Sequence, residues 1–433
     1  MPRATIRSPK RRRGSQLSRA DWFRYYADFS TDFVESAIDY LDLDSGATLL
    51  DPWLGGGTTA EVAAANNLRF KGYDINPVML LVSRARIVPT NAADEIAALV
   101  GSIASSYKKI TKSRTAHNAK DEPLQQWLQP SSAFAFRLLE RCIETHLIGP
   151  KRSSIPLWRR TGHVSPVVAL FYVGLFRTLR SFISEFQTSN PTWVKVSNGK
   201  RIPLAPNRIL ARFCKEMQLL LDSVAAEEEE FPLTSNRRCV INRASSLNLP
   251  LADNSVDAAI SSPAYCTRID YVRATLPELA VIGHPNGRVI RRLRERMIGT
   301  PTIDHCDEYD SDEWGKTCSR FLSVVERHTS KASATYYLKY YQQYFASIFV
   351  SLKEIDRVLK PGGHCVLVVQ DSYYKDKKNN LPRMFIEMAA HYSWALDSRR
   401  RFRVNQTLAG VNPSVKPYRN IFHATEWALV FSK

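Results

Sequence analysis

The sequence has few cysteines and no long apolar run, and each shortage excludes a class of protein. Its seven cysteines are scattered without a C-x-x-C pair, so neither a zinc ribbon nor a disulfide framework is predicted, and no metal site is expected. The longest apolar run, Val167 to Phe176, is too short to span a bilayer. The basic N-terminus lacks the apolar stretch of a secretory signal. We therefore expect a soluble cytoplasmic protein with reduced thiols and no membrane partner.

Acidic residues are also in short supply. The 433 residues contain 60 Lys and Arg against 42 Asp and Glu, which gives a formal net charge of +18 at pH 7. A basic balance of this size, arranged in clusters, indicates a polyanionic partner, and nucleic acid is the commonest one. The length suits one large domain with insertions or two domains, and a hydrophobic content of 44% is enough for an ordinary core.

The pattern of apolar residues divides the chain into parts. A parallel sheet begins in one segment and resumes in another, with a mostly helical insertion between them and a basic, polar excursion inside the second part. The predicted parts are a disordered basic tail (1–19), the first sheet part (20–93), the helical insertion (94–235) and the second sheet part (236–433) with its excursion (271–336). Helical spacing predicts a helix from Trp22 to Leu43.

A glycine-rich segment follows the first predicted strand. Asp51-Pro-Trp-Leu-Gly-Gly-Gly-Thr-Thr59 comes after a short apolar run and before an alanine-rich stretch, which is typical of a strand, a glycine turn and a helix. Asp74 ends the next strand 17 residues after Gly57, where a Rossmann-type sheet places the acid that binds ribose hydroxyls. The carboxylate of Asp51 at the mouth of the turn suits an ammonium group, which S-adenosylmethionine has. A purely capping role for Asp51 is the alternative.

A second segment, Ser262-Pro263-Ala264-Tyr265, follows the buried strand Val256 to Ser261. An aromatic amine is a poor nucleophile because its lone pair is delocalised into the ring. Two acceptors aimed at the amine hydrogens favour the attacking form. The Ser262 hydroxyl and the Pro263 carbonyl can be those acceptors for the exocyclic amine of a nucleobase, while Tyr265 stacks on its ring. A nucleobase in a duplex must first leave the stack to reach such a site.

These segments resemble, in the same order, motifs of the DNA amino-methyltransferases, which methylate cytosine N4 or adenine N6. The resemblance covers roughly 20–95 and 238–433. The matching stretches are 23–30, 51–59, 74–77, 262–265, 357–363 and 423–431. It implies the class I S-adenosylmethionine-dependent methyltransferase fold, an α/β fold with a mostly parallel, doubly wound, Rossmann-like sheet, here with a helical insertion.

The resemblance also implies roles for individual residues. Ser262, Pro263 and Tyr265 correspond to the catalytic tetrapeptide. S-adenosylmethionine is the implied cofactor. Its implied binding residues are Tyr26, Phe29, Asp51, Pro52, Gly55, Gly57, Thr58, Asp74, Ile75 and Asn242.

A serine in the first position of the tetrapeptide is typical of the cytosine-N4 branch, whereas Asp or Asn is typical of adenine-N6 enzymes. Ala264 departs from the second proline that the family usually has. No Pro-Cys dipeptide of the cytosine-C5 enzymes occurs. We therefore expect a site-specific DNA (cytosine-N4)-methyltransferase. An adenine-N6 enzyme, an RNA base methyltransferase and an inactive nucleic-acid-binding subunit are the alternatives.

Double-stranded DNA is the expected partner, and the family admits a cognate restriction endonuclease or another defence subunit. The insertion and the arginine-rich stretch 288–296 are expected to recognise the target, although neither the recognised sequence nor the oligomeric state is indicated. Core packing is the alternative for both tryptophans among the candidates. The predicted nucleic-acid-binding residues are Arg11, Arg12, Trp158, Arg159, Trp193, Arg268, Arg291 and Arg292.

Overall fold

A computed structural model describes most of the chain. The described residues are 4–11, 17–25, 28–113, 121–149, 155–188, 193–197, 199–227, 238–303, 312–404 and 424–433. Tyr26 and Arg12, two of the predicted site residues, lie outside them.

The centre of the molecule is a seven-stranded sheet in the order β3-β2-β1-β4-β5-β9-β8. Strands β1 to β5 of this sheet are parallel, and β9 runs antiparallel between β5 and β8. A separate two-stranded hairpin, β6–β7, follows β5. The strands are β1 Thr48–Asp51, β2 Arg69–Asp74, β3 Cys239–Arg243, β4 Val256–Ser261, β5 Leu359–Gln370, β6 Ser372–Tyr374, β7 Lys377–Asn379, β8 Ala395–Val404 and β9 Ala424–Ser432.

Helices cover both faces of this sheet. They are α1 Thr31–Leu41, α2 Thr58–Ala65, α3 Pro77–Ala85, α4 Ala93–Ser113, α5 Pro130–Leu147, α6 Leu157–Arg160, α7 Pro166–Phe182, α8 Pro206–Ala225, α9 Tyr271–Ala274, α10 Leu276–Val281, α11 Arg288–Glu295, α12 Lys316–Glu326, α13 Leu338–Val358 and α14 Leu381–His391. The predicted doubly wound class I methyltransferase fold is confirmed. The order of the strands reverses between β1 and β4, so their carboxyl ends frame the crevice in which such sheets bind ligands.

Burial on both faces explains the composition of the central strands. β4 and the second half of β5 are nearly continuous runs of small and branched apolar residues, as expected for strands with no solvent-facing side. Helices α1 and α2 cover one face through a cluster around Phe33 and Ala63. Helices α12, α13 and α14 cover the other face through a cluster around Phe345 and Met384.

The region between β2 and β3 forms a helical layer on α3. Helices α4, α5, α7 and α8 pack on one another, and α7 also packs on α3. This layer continues into the excursion after β4, because Arg137 on α5 donates to the carbonyl of Val281 at 2.6 Å and Arg180 on α7 pairs with the fully buried Glu278. The described part of 94–235 contains helices and isolated bridges but no strand.

The N-terminal segment differs from the expected free tail. In residues 4–11, Ile6 is buried and the carbonyl of Pro9 accepts from Ser30 N at 2.9 Å. The amide of Arg7 donates to Ser36 Oγ at 2.8 Å, so this part of the segment lies along α1.

The predicted helix from Trp22 to Leu43 is shorter than expected. Its N-cap is Ser30, whose hydroxyl accepts from Phe33 N at 3.2 Å, and α1 begins at Thr31. Of the described residues between Trp22 and this cap, 22–25 and 28–29 are not helical. Within the described residues, no helix combines the length and the hydropathy needed to cross a membrane.

Candidate active site

A cavity of about 790 Å³, counted out to its open mouth, lies at the carboxyl edge of the sheet. Its walls come from the segment before α1, the turns after β1 and β2, the loop after β3, the tetrapeptide after β4 and the excursion. The lining residues are Tyr25, Asp28, Phe29, Pro52, Trp53, Leu54, Gly55, Thr58, Asp74, Ile75, Asn76, Ala244, Ser245, Ser246, Ser262, Ala264, Tyr271, Arg296, Met297 and Ile298.

The turn after β1 requires its glycines. Gly57 has φ +87°, and a Cβ there would lie 2.5 Å from Ser83 Cβ. A Cβ at Gly56 would lie 2.2 Å from a carboxylate oxygen of Asp28. Side chains are excluded because the turn is packed directly against α3 on one side and the segment before α1 on the other. The missing side chains of Gly56 and Gly57 thus make room for Asp28 and Ser83 of the protein itself.

Asp51 has a different place from the one predicted. Its carboxylate is 1% exposed and accepts from Ser261 Oγ, from Thr59 Oγ1 at 2.7 Å and from Trp53 N at 3.1 Å. Burial raises the pKa of Asp51 to about 6 against the lowering effect of these donors. The carboxylate therefore joins β1 to α2 and β4 behind the cavity wall. A ligand ammonium would have to displace one of these donors to reach it.

Asp74 lies in the cavity wall at the end of β2, as the sequence predicts. One carboxylate oxygen accepts from Asn76 N at 2.8 Å and the other from Gly55 N at 3.1 Å. Burial raises the pKa of Asp74 to about 6. Each oxygen keeps lone-pair capacity for a further donor, so ligand hydroxyls can be bound here.

The segment before α1 supplies an aromatic and acidic wall. Phe29 lines the cavity as predicted, and its carbonyl accepts from Thr58 Oγ1 at 3.3 Å. The sequence interpretation missed Tyr25 and Asp28. Burial raises the pKa of Tyr25 well above its usual value, so its ring is a neutral wall, 6.2 Å from the ring of Tyr271. The motif identified the segment but not which of its side chains face the cavity.

Asp28 stabilises the glycine turn. Its side chain is 6% exposed, accepts from Gly56 N at 3.1 Å and pairs with Arg86 at 3.0 Å. Arg86 in turn donates to the hydroxyl of Thr58 at 2.9 Å. The first turn of α2 is therefore held by a buried ion pair, a feature that no motif predicted.

The tetrapeptide after β4 is held by hydrogen bonds at several points. Ser262 Oγ donates to the carbonyl of Val368 at 3.2 Å, and Tyr265 N donates to Tyr271 Oη at 3.1 Å. Tyr265 Oη donates to Glu426 at 3.3 Å, and burial raises the pKa of that carboxyl. Ser262 and Ala264 line the cavity, whereas Pro263 is buried and Tyr265 is half-buried beside it. The predicted catalytic residues are thus brought to the same edge as Asp74.

Asn242 lies outside the cavity lining. Its amide nitrogen donates to the carbonyls of Gly162 at 3.2 Å and Ile241 at 2.8 Å, so the side chain joins β3 to the insertion. The wall next to it is formed instead by Ala244, Ser245 and Ser246. Their position directly after a parallel strand is the signal that could have indicated them.

The two tryptophans predicted to touch DNA are engaged within the protein. Trp158 is buried, 4.6 Å from the His284 ring, with the guanidinium of Arg159 4.8 Å from its centroid. Trp193 is half-buried, with Arg273 5.4 Å from its ring centroid. Trp158 therefore packs in the core, which is the alternative interpretation of this residue.

The predicted basic residues differ in exposure. Arg291 and Arg292 are exposed on α11, where Arg291 pairs with Glu295 at 2.7 Å. Arg268 lies three residues after the tetrapeptide, with its guanidinium 4.8 Å from the ring centroid of Tyr337. Arg11 pairs with Asp21.

The similarity of the chain to known proteins is low. No family model matches the chain. The chain is 25% identical over 300 residues to the type II methyltransferase M.BsoBI of Geobacillus stearothermophilus. The matched region covers 64% of this chain and 55% of that protein. It thus spans about half the length of this curated relative. A solved rRNA methyltransferase, aviRa from Streptomyces viridochromogenes, is 12% identical with a TM-score of 0.29, covering 94% of this chain and 86% of that one. The strand order and the glycine turn together give this chain the fold of class I methyltransferases.

Proposed function

We propose that the protein transfers a methyl group from S-adenosylmethionine to the exocyclic N4 amine of a cytosine flipped out of double-stranded DNA. The observation that carries the proposal is that one cavity contains both the nucleotide-type wall around Asp74 and the hydroxyl of Ser262. The similarity to a type II methyltransferase supports the same chemistry.

The residues of the cavity fit S-adenosylmethionine. Asp74 offers a carboxylate with spare acceptor capacity to the ribose hydroxyls, and Ile75 and Ile298 offer apolar walls to a flat ring. The glycine turn leaves no side chain between the backbone and the ligand. When bound, the cofactor supplies an electrophilic methyl group on a sulfonium.

Ser262 is oriented to accept a hydrogen bond from the amine of the base. Its hydroxyl proton is directed to the carbonyl of Val368, so the lone pairs of Oγ remain for a donor in the cavity. Together with the Pro263 carbonyl, it favours the pyramidal amine and stabilises the positive charge that develops on N4. These acceptors act as fixed dipoles, because the tetrapeptide is held by the backbone and by its hydrogen bonds.

Tyr265 is positioned to stack on the flipped base. Its hydroxyl donates to Glu426 and its amide to Tyr271, which fixes the ring at the end of β4. An aromatic wall of this kind compensates for the stacking that the base loses on leaving the duplex.

The test is to incubate the purified protein with unmodified genomic DNA and labelled S-adenosylmethionine, and to identify the labelled nucleoside by mass spectrometry. We expect N4-methylcytosine, its loss in Tyr265→Ala, and its retention in Tyr265→Phe, which keeps the ring and removes only the bond to Glu426. N6-methyladenine would overturn the choice of base. Label in RNA alone would overturn the choice of DNA, and cofactor binding without any transfer would identify an inactive subunit.

A further inference from the structure

The edge strand β8 carries a row of exposed arginines that no motif indicated. Arg399, Arg401 and Arg403 alternate along the strand and therefore point to one face of the sheet. Within the part of the chain that the structure describes, none of the three pairs with a carboxylate. Among the described residues, none of these three charges is therefore neutralised by an ion pair, unlike that of Arg291.

The ring of Trp427 holds two of these guanidinium groups in position. Trp427 lies opposite Arg401 in the register of β8 and β9. The guanidinium carbons of Arg399 and Arg401 are 5.1 and 5.9 Å from its ring centroid. A cation held over an aromatic face keeps its charge and its hydrogen-bond donors, and loses less conformational freedom when it binds an anion.

The row ends at the catalytic edge of the sheet. β8 runs in the same direction as β5, so Arg403 lies at the carboxyl end, opposite Thr425. The next residue of β9 is Glu426, which accepts the hydroxyl of Tyr265. The carbonyl of Thr425 accepts from Asp371 N at 3.0 Å, which joins this end of β9 to the end of β5.

We propose that the arginine face of β8 (Arg399, Arg401 and Arg403) binds the phosphate backbone of duplex DNA beside the flipped base. This rests on the proposed function and adds a contact surface outside the insertion and outside 288–296. Alternate residues of a strand are about 6.8 Å apart, which equals the rise of about two phosphates of one DNA strand along the helix axis. The duplex would therefore lie along β8 with the target base directed toward Tyr265.

The chain offers a matched control on the same strand. Arg400 is exposed like its neighbours but points to the opposite face, next to Phe402, which packs on the cluster around Phe33. Substituting Arg400 or Arg403 by Ala removes the same charge from one strand, at positions three residues apart. The two side chains point to opposite faces of the sheet.

The experiment measures the affinity of the full-length chain for a fluorescent, unmethylated DNA duplex across a series of salt concentrations. Each phosphate contact contributes about 0.9 to the slope of log K against log salt. We expect Arg403→Ala to lower the slope by about 0.9 and the double variant Arg401→Ala/Arg403→Ala by about 1.8. Arg400→Ala and the double variant Arg401→Lys/Arg403→Lys are expected to keep the parental slope.

Equal slopes for Arg403→Ala and Arg400→Ala would overturn the proposal, as would a lysine double variant that behaves like the alanine one. A change seen with an RNA duplex of equal length but not with DNA would also overturn it. Thermal melting checks that the variants are folded, and Arg403→Gln replaces any variant that is not. Because the readout is binding, its result is separate from that of the methylation test, and either proposal can fail while the other holds.

Discussion

At the scale of single residues, the proposed chemistry depends on the direction of the hydrogen bond that the Ser262 hydroxyl donates. The Val368 carbonyl accepts a hydrogen bond from the Ser262 hydroxyl, and this leaves the lone pairs of Oγ as acceptors at the cavity surface. The carboxylates of Asp51 and Asp74 differ in the same way: both accept hydrogen bonds, but Asp51 is buried, whereas Asp74 is half-buried and lines the cavity.

Ser262→Ala is expected to lower the rate of methyl transfer about 10²-fold, because one of the two acceptors that activate the amine is lost. S-Adenosylmethionine affinity is expected to stay within about twofold. Single-turnover methylation and calorimetry measure the two quantities. The control is Ser102→Ala, an exposed serine of α4 whose hydroxyl bonds only to its own helix. An undiminished rate in Ser262→Ala would exclude the serine from the reaction.

Cofactor affinity is expected to rise with pH through about 6 and then level off. The pKa of Asp74 is raised to about 6, so below that pH the carboxyl is protonated and loses acceptor capacity for hydroxyls. Calorimetric titration between about pH 5 and pH 8 measures this profile.

Two variants distinguish the effect of Asp74 on this pH profile from the effect of Asp51. Asp74→Asn is expected to bind weakly and without pH dependence. Asp51→Asn is expected to keep the dependence with a slightly lower midpoint, because the charge of Asp51 contributes to the raised pKa of Asp74. A flat profile in the parent protein would contradict the role of Asp74.

At the scale of elements, the turn between β1 and α2 is more constrained than any helix of the insertion. Gly57→Ala places a Cβ at φ +87° and 2.5 Å from Ser83 Cβ, so a loss of more than about 2 kcal/mol in the free energy of unfolding is expected. Gly101→Ala is the matched control, since it lies in α4 in open space and is expected to gain about 0.5 to 1 kcal/mol. Urea unfolding measures both. Equal effects would show that the turn is not strained by a side chain.

How far the sequence predicts these elements depends on which interaction decides them. The turn around Gly57 and the strand Val256–Ser261 were predictable because backbone geometry and full burial leave a local signature. The true start of α1 was not, because the cap at Ser30 overrides apolar spacing that continues upstream. β8 was missed because an exposed edge strand rich in arginine lacks apolar alternation.

The site shows the same division between local and distant causes. Asp74, Phe29 and Ser262 were found from motifs, since each follows or precedes a recognisable element by a fixed number of residues. The Asn242 side chain is positioned by its hydrogen bond to Gly162 of the insertion, and the Trp158 ring by its contact with His284 of the excursion. Contacts between segments so far apart in the chain leave no pattern in a single sequence.

At the scale of the whole molecule, an ion pair with a fully buried carboxylate joins the insertion to the excursion. Glu278 is fully buried and paired with Arg180, whose Nη2 lies 3.0 Å from Oε2. Glu278→Ala removes the carboxylate that neutralises this guanidinium, and we expect a loss of about 3 kcal/mol in the free energy of unfolding. Lys200→Ala, in an exposed pair with Glu185, is the control and should cost less than about 0.5 kcal/mol. Urea unfolding compares them, and similar losses would contradict the importance of burial.

The pairing of strands distant in the chain has a consequence for how the molecule reaches its native state. Leu49 on β1 pairs with Ala258 on β4, and Phe70 on β2 pairs with Cys239 on β3. Both pairings close loops of well over a hundred residues, so the contact order is high at the very strands that frame the cavity. The helices of the insertion form from local contacts and can appear much earlier. During refolding, the circular dichroism signal of the helices should therefore recover long before the cavity at the sheet edge forms, because the slow closure of the sheet limits the rate of that step.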